Sequence, residues 1–141
     1  MPTALVAVPV RAFRRALGAA AEGFVGPSQW EATARITPDL GPTPRAFARR
    51  FEARFGEHPD YPAAQAYAAG LVMSHCLEIA GGVDQERLRA AAAALDRTTL
   101  LGRFRIDPDT GMQIGHEMLL VGWVRGARRV IQLPPDLPPA S

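Results

Sequence analysis

The chain has a single cysteine, Cys76, and no lysine. One thiol cannot close an internal disulfide. Cys76 falls in an apolar segment, where a small buried side chain is expected rather than a reactive thiol. All the positive charge is arginine, 16 residues against 14 acids for a net charge of +2. The arginines are scattered among acids rather than gathered on one stripe. That is the pattern of a solvated surface, so no nucleic-acid partner is expected. Serine is scarce: Ser28, Ser74 and Ser141 are the only three. None sits in a nucleophile-elbow context. The histidines, His58, His75 and His116, share no HxxxH spacing and there is no CxxC, so no metal site is expected. The glycines, Gly81 and Gly82 included, form neither a GxGxxG nor a Walker pattern. Asp107 and Asp109 flank Pro108, where carboxylates usually bond to nearby backbone; a calcium loop needs more oxygens at regular spacing. The longest apolar segment, residues 62–80, carries Gln65, Ser74, His75 and Glu78. Those groups rule it out as a membrane span. Residues 4–10 are apolar, but Arg11, Arg14 and Arg15 follow them. That order is the reverse of a secretory signal. With no nucleophile–base pair, metal spacing or phosphate loop, the chain reads as a non-enzyme without a cofactor.

What remains is the composition of a globular domain: 48% hydrophobic and 21% charged residues over 141 positions, long enough to bury a core. Residues 10–21 predict a short helix, with Phe13 and Leu17 four apart and Gly23 as its stop. Phe24 and Val25 centre a brief strand that Gly26 and Pro27 break. Residues 31–41 show no period and read as a loop. Thr43 then Pro44 is a helix start, an N-cap hydroxyl followed by proline at the first helical position. Phe47, Phe51 and Phe55 recur every fourth residue on that helix, as a core stripe does, and Arg45, Arg49, Arg50 and Arg54 cover the rest. Gly56 closes it. A third helix is expected over 62–80, with Ala64, Ala68, Gly70 and Leu71 on a close-packing face and Tyr67 in the core. Gly81–Gly82 stops it. Asp84 caps a fourth helix over 85–95. Residues 98–106 hold β-formers, residues 107–111 a turn, residues 118–124 an apolar strand containing Trp123, Arg125–Gly126 a turn and residues 129–133 a returning strand. The Pro-rich tail, 134–141, is expected to be disordered. There is no internal repeat. Helices followed by hairpins give an α+β reading in isolation.

Four segments, taken in order, resemble a known family. They are Ala20-Ala21-Glu22-Gly23-Phe24-Val25-Gly26-Pro27-Ser28-Gln29-Trp30; Pro59-Asp60-Tyr61-Pro62-Ala63-Ala64-Gln65-Ala66-Tyr67-Ala68-Ala69-Gly70; Gly102-Arg103-Phe104-Arg105-Ile106-Asp107-Pro108-Asp109-Thr110-Gly111; and Gly115-His116-Glu117-Met118-Leu119-Leu120-Val121-Gly122-Trp123. From about residue 16 to 133 the chain resembles the C-terminal part of the solute-binding proteins of branched-chain amino-acid ABC transporters. The resemblance implies an α/β fold, a C-terminal fragment of the two-lobed type I periplasmic-binding-protein architecture with four helices, short strands and a C-terminal β-hairpin. Residues 1–133 would then hold parts of both lobes, and 134–141 the tail. It also implies a periplasmic or cell-surface location, a small-molecule ligand such as an amino acid, a membrane permease as partner, and no chemistry.

By position, the resemblance makes Tyr61 the leading ligand-binding candidate, as the aromatic just before the long helix, with Trp30 second and Ser28 and Gln29 as polar contacts beside it. Tyr61 also fits a turn residue packing on the helix start, and Trp30 a residue packing on the 31–41 loop. Nothing matches the family's first-lobe loops, and residues 7–10 lack the acid that family members place before the short helix. Two other roles fit the same residues: a ligand-sensing regulatory domain, and a truncated module that self-associates through faces left uncovered by the missing lobe.

Overall fold

A computed structural model describes residues 3–131, with Thr3 and Ala4 placed by backbone alone. The expected tail, 134–141, and the end of the expected last strand lie outside the described residues. The described residues fall into two compact units: a sheet unit from 3–28 and 119–131, and a helical unit from 29–118.

In the sheet unit, β1 (Thr3–Ala4), β2 (Phe24–Ser28), β5 (Leu119–Val124) and β6 (Ala127–Val130) form one sheet in the order β1-β2-β5-β6. β1 and β2 are parallel, and the other pairs antiparallel. The strand expected to break at Gly26–Pro27 runs on to Ser28, with Gly26 opposite Val121 and Pro27 opposite Leu120. The reason is alternation. The Val25 carbonyl accepts from the Leu5 N–H at 2.9 Å, so the backbone groups of odd-numbered β2 residues turn toward β1. The N–H that Pro27 lacks would point to that same side, beyond the last β1 residue, and the ladder to β5 loses nothing. Gly26 has a separate cause: a Cβ there would lie 2.1 Å from the Leu5 carbonyl oxygen.

The helix expected over 10–21 is shorter. α1 (Arg11–Leu17) ends at Gly18, whose φ of 53° leaves the α path, and Gly18–Ala21 closes as a 3-10 turn. Val8, Ala21 and Trp123 form the core of this unit, with Phe13 and Phe24 packed against it. The two Phe rings meet edge to face at 5.5 Å. The Trp123 indole N–H donates to the Val8 carbonyl at 3.1 Å, so this buried aromatic has its polar atom satisfied. Arg125 and Gly126 both have positive φ, 53° and 76°. That is the two-residue turn whose twist matches a β-hairpin.

In the helical unit, α2 (Pro44–Phe55) starts and stops as its sequence predicts. Thr43 Oγ1 accepts from the Ala46 N–H at 3.2 Å, and Gly56 takes the left-handed position. The aromatic row grades outward: Phe47 is buried, Phe51 half-buried and Phe55 58% exposed. α3 (Tyr61–Ala80) includes Tyr61 as its first residue, one position earlier than expected. Its buried row is Ala64, Ala68, Cys76 and Ala80. Gly70 does not share that face. It lies two residues from Ala68, about 200° around the helix, and is exposed with nothing within 4 Å of where a Cβ would sit. Tyr67, expected in the core, is 38% exposed, although its ring stays 4.9 Å from that of Phe47. Its angular position accounts for this, being on the shoulder of the buried row.

α4 (Gln85–Ala94) is capped by Asp84, whose carboxylate accepts from the Arg87 N–H at 2.9 Å. β3 (Asp96–Thr99) and β4 (Gly102–Arg105) make an antiparallel hairpin. The aperiodic loop ahead of α2 pins itself to β3: Asp39 accepts from the Thr98 N–H at 2.7 Å, and the Thr98 carbonyl accepts from Asp39 and Leu40. That contact covers a strand edge that would otherwise be free to pair. Trp30, Phe47, Ala48, Ala64, Ala68 and Leu100 anchor the main core, and Cys76, Ala91 and Leu95 form a smaller cluster beside it.

Candidate functional site

Three of the four residues singled out in the sequence meet around the first turns of α3. Trp30 is fully buried and stands edge to face on Phe47 at 5.8 Å. Tyr61, half-buried, packs on the same cluster. One helical turn beyond Tyr61 comes Gln65, whose side-chain amide donates to Gln29 Oε1. Ser28 belongs to the sheet unit, where it ends β2 and is buried.

Gln29 and Gln65 stand in the wall of an open groove of about 730 Å³ between α3, α4 and the β3–β4 hairpin. Val72, Cys76, Leu88 and Phe104 supply apolar lining, and Gln113 and His116 add polar groups. Burial pushes the Cys76 thiol above its ordinary pKa, so it stays protonated and serves as packing. The Gln113 side chain is held in place: its amide oxygen Oε1 accepts from the N–H of Arg105 at 3.1 Å and of Gly115 at 2.8 Å. The Nε2 of His116 is buried with no hydrogen-bond partner among the described residues. A concave, mostly apolar surface with a few fixed polar groups is suited to holding a small organic molecule. Among the described residues no group of three or more His, Cys, Asp or Glu is placed to hold a metal ion. No single described helix is long and apolar enough to cross a membrane.

The profile of the periplasmic binding protein family matches residues 11–128. The chain belongs to that family. Solved structures of periplasmic binding proteins agree. A protein from Rhodospirillum rubrum, described as a branched-chain amino acid ABC transporter, is 28% identical with a TM-score of 0.73, over 93% of this chain and 37% of that one. An ABC transporter substrate-binding protein from Sphaerobacter thermophilus is 25% identical with a TM-score of 0.70, over 89% of this chain and 34% of that one. A leucine binding protein from Thermotoga maritima shares the fold at 20% identity, with a TM-score of 0.68, over 87% of this chain and 34% of that one. The chain therefore spans about a third of the length of these structures. Its helices and small sheets correspond to part of the two-lobed type I periplasmic-binding-protein fold. The family consists of solute-binding proteins rather than enzymes.

Gln65, Gln113 and His116 escaped the sequence reading as site residues. For Gln65 a signal existed: it follows Tyr61 by four residues, so a helix starting there puts both on one face. For Gln113 and His116 there was none, because their approach to α3 depends on how the chain folds back after β4.

Proposed function

We propose that this chain is part of the substrate-recognition component of an ABC transporter, and that its solute is a branched-chain amino acid or a related small organic molecule. The observation that carries this reading is the family match across residues 11–128, joined to the 28% identity with the Rhodospirillum rubrum transporter protein. In this reading the Tyr61 ring is an apolar wall with a hydroxyl handle. The Gln29–Gln65 amide pair offers hydrogen bonds to the solute's polar end, and Trp30 backs the wall from the core. The working location is the periplasm or cell surface, and the partner a membrane permease.

The reading is supported by the proximity of Gln29, Trp30, Tyr61 and Gln65 at one end of α3. The test is a titration of the folded, ¹⁵N-labelled chain with leucine, isoleucine, valine and aromatic carboxylates up to about 10 mM, a range that captures weak binding. Saturable shifts at Gln29, Tyr61 and Gln65, weakened at least about tenfold by Tyr61→Ala, are expected. A folded chain whose spectrum does not move with any of these solutes overturns the proposal.

A further inference from the structure

The groove between α3, α4 and the β3–β4 hairpin carries charge of one sign. Arg89, Arg103 and His116 stand in its lining, and no Asp or Glu does among the described residues. Asp96 neutralises Arg103 by engaging its Nε and Nη2. Arg89 is different. It also borders a second hollow that holds Glu86, Asp107 and Asp109, yet it makes no ion pair among the described residues. Its charge is left uncompensated beside an apolar wall of Val72, Leu88 and Phe104. His116 adds a second unmet group, because its Nε2 is buried without a hydrogen-bond partner among the described residues. Such an atom costs free energy until something meets it. The neutral acceptors nearby are largely spent. The Gln113 oxygen is taken by two backbone N–H groups. The Thr99 hydroxyl donates to the Gly102 carbonyl at 3.4 Å and accepts from the Leu101 N–H at 3.2 Å.

We infer that this groove takes an organic carboxylate with an apolar body and no ammonium group, and that Arg89 and His116 select it. The inference rests on the reading of the groove as the solute site, and narrows that reading from amino acids to acids without the amine. A carboxylate entering here meets a guanidinium, which presents a fork of N–H donors matched to its two oxygens. It also supplies the acceptor that His116 Nε2 lacks when that nitrogen carries the proton. An ammonium group entering here loses water against an apolar wall, with no carboxylate in the described lining to offset its charge. Arg89 repels it as well. A zwitterion therefore gains at one end and loses at the other, whereas an acid of the same skeleton gains without the loss.

The test is an NMR titration of the ¹⁵N-labelled chain with matched solutes: 4-methylpentanoate against leucine, and 3-phenylpropanoate against phenylalanine. Each pair differs only in the amine, and 3-methylbutylamine presents the amine alone. The acids are expected to bind about tenfold or more tighter than their amino acids, and 3-methylbutylamine to leave the spectrum unmoved. Arg89 is exposed, so Arg89→Gln keeps the fold. It should weaken the acids at least about fivefold, and Arg89→Lys should recover part of that loss. His116→Phe, which removes both ring nitrogens, should weaken them as well. Amino acids that bind as tightly as their acids, or an amine that binds, overturn the inference and leave the solute site standing. So do acids whose affinity neither Arg89→Gln nor His116→Phe changes. A folded chain that responds to none of the acids or amino acids overturns this inference together with the function proposed above.

Discussion

Asp96 and Arg103 grip each other across the β3–β4 hairpin through both carboxylate oxygens, at 2.7 Å from Nε and 2.6 Å from Nη2. They stand diagonally: Thr98 is opposite Arg103 and Asp96 opposite Arg105, so all four share one face of the ribbon. The hydrogen bonds from Arg103 hold the Asp96 carboxyl below its ordinary pKa. A carboxyl depressed by folding contributes stability above its unfolded pKa and loses it as pH falls through the folded value. The pair is solvent-exposed, so the effect is small and salt-sensitive. Tm of the wild type should therefore exceed that of Asp96→Asn by a constant margin from pH 5 to 8, and the margin should close below about pH 4. A margin that persists at pH 2 refutes the electrostatic account.

Asp107 is expected to behave likewise. Its Oδ1 accepts from the Thr110 N–H at 2.9 Å, the Thr110 hydroxyl at 3.0 Å and the Asp109 N–H at 3.0 Å, and these bonds hold its carboxyl below the ordinary value. Carboxylate NMR titration should place both Asp96 and Asp107 below about 3.9, the usual aspartate value. Asp107→Ala should speed amide exchange at Thr110 without altering exchange in α3.

The aromatic row of α2 should split by position. Phe47→Ala empties a site that contacts Trp30, Phe51 and Tyr67, and should cost about 3–5 kcal/mol. Phe55→Ala, at a residue 58% exposed, should cost less than about 1 kcal/mol. Urea denaturation of both variants decides it, and equal losses would contradict the burial gradient.

Gly70→Ala should stabilise the isolated chain by about 0.5–1 kcal/mol, because alanine favours the helix and its Cβ enters open space. A loss in urea denaturation would mean that something already packs against this position.

Glu22 clamps the β5–β6 turn from a distant stretch of sequence, its carboxylate accepting from the N–H of Arg125 at 2.9 Å and of Gly126 at 2.6 Å. Glu22→Ala leaves the turn holding its positive φ angles unaided. Hydrogen exchange at these two amides should accelerate about tenfold, while the β2–β5 ladder keeps its protection.

Helix boundaries were legible because their causes are local. A hydroxyl at Thr43, a carboxylate at Asp84 and glycines at 56 and 81 act within one turn of where they sit. The hairpin turn at Arg125–Gly126 was legible for the same reason. The order of the four family-like segments carried the fold, and the profile match supports it. Non-local causes decided the rest. Pro27 continues a strand because β1 has already ended on the side its missing N–H would face. Gln29 meets Gln65 across 36 residues of sequence, and Trp30 lies in the core because α2 brings Phe47 against it.

Sequence by itself determined where α2 and α4 start and where α2 and α3 stop, since capping and φ restriction are properties of neighbouring residues. Only the tertiary structure decided which faces are covered. Burial depends on what a distant stretch of chain brings alongside, and on α3 it left exposed both Tyr67, which the sequence placed in the core, and Gly70, which it placed on the close-packing face.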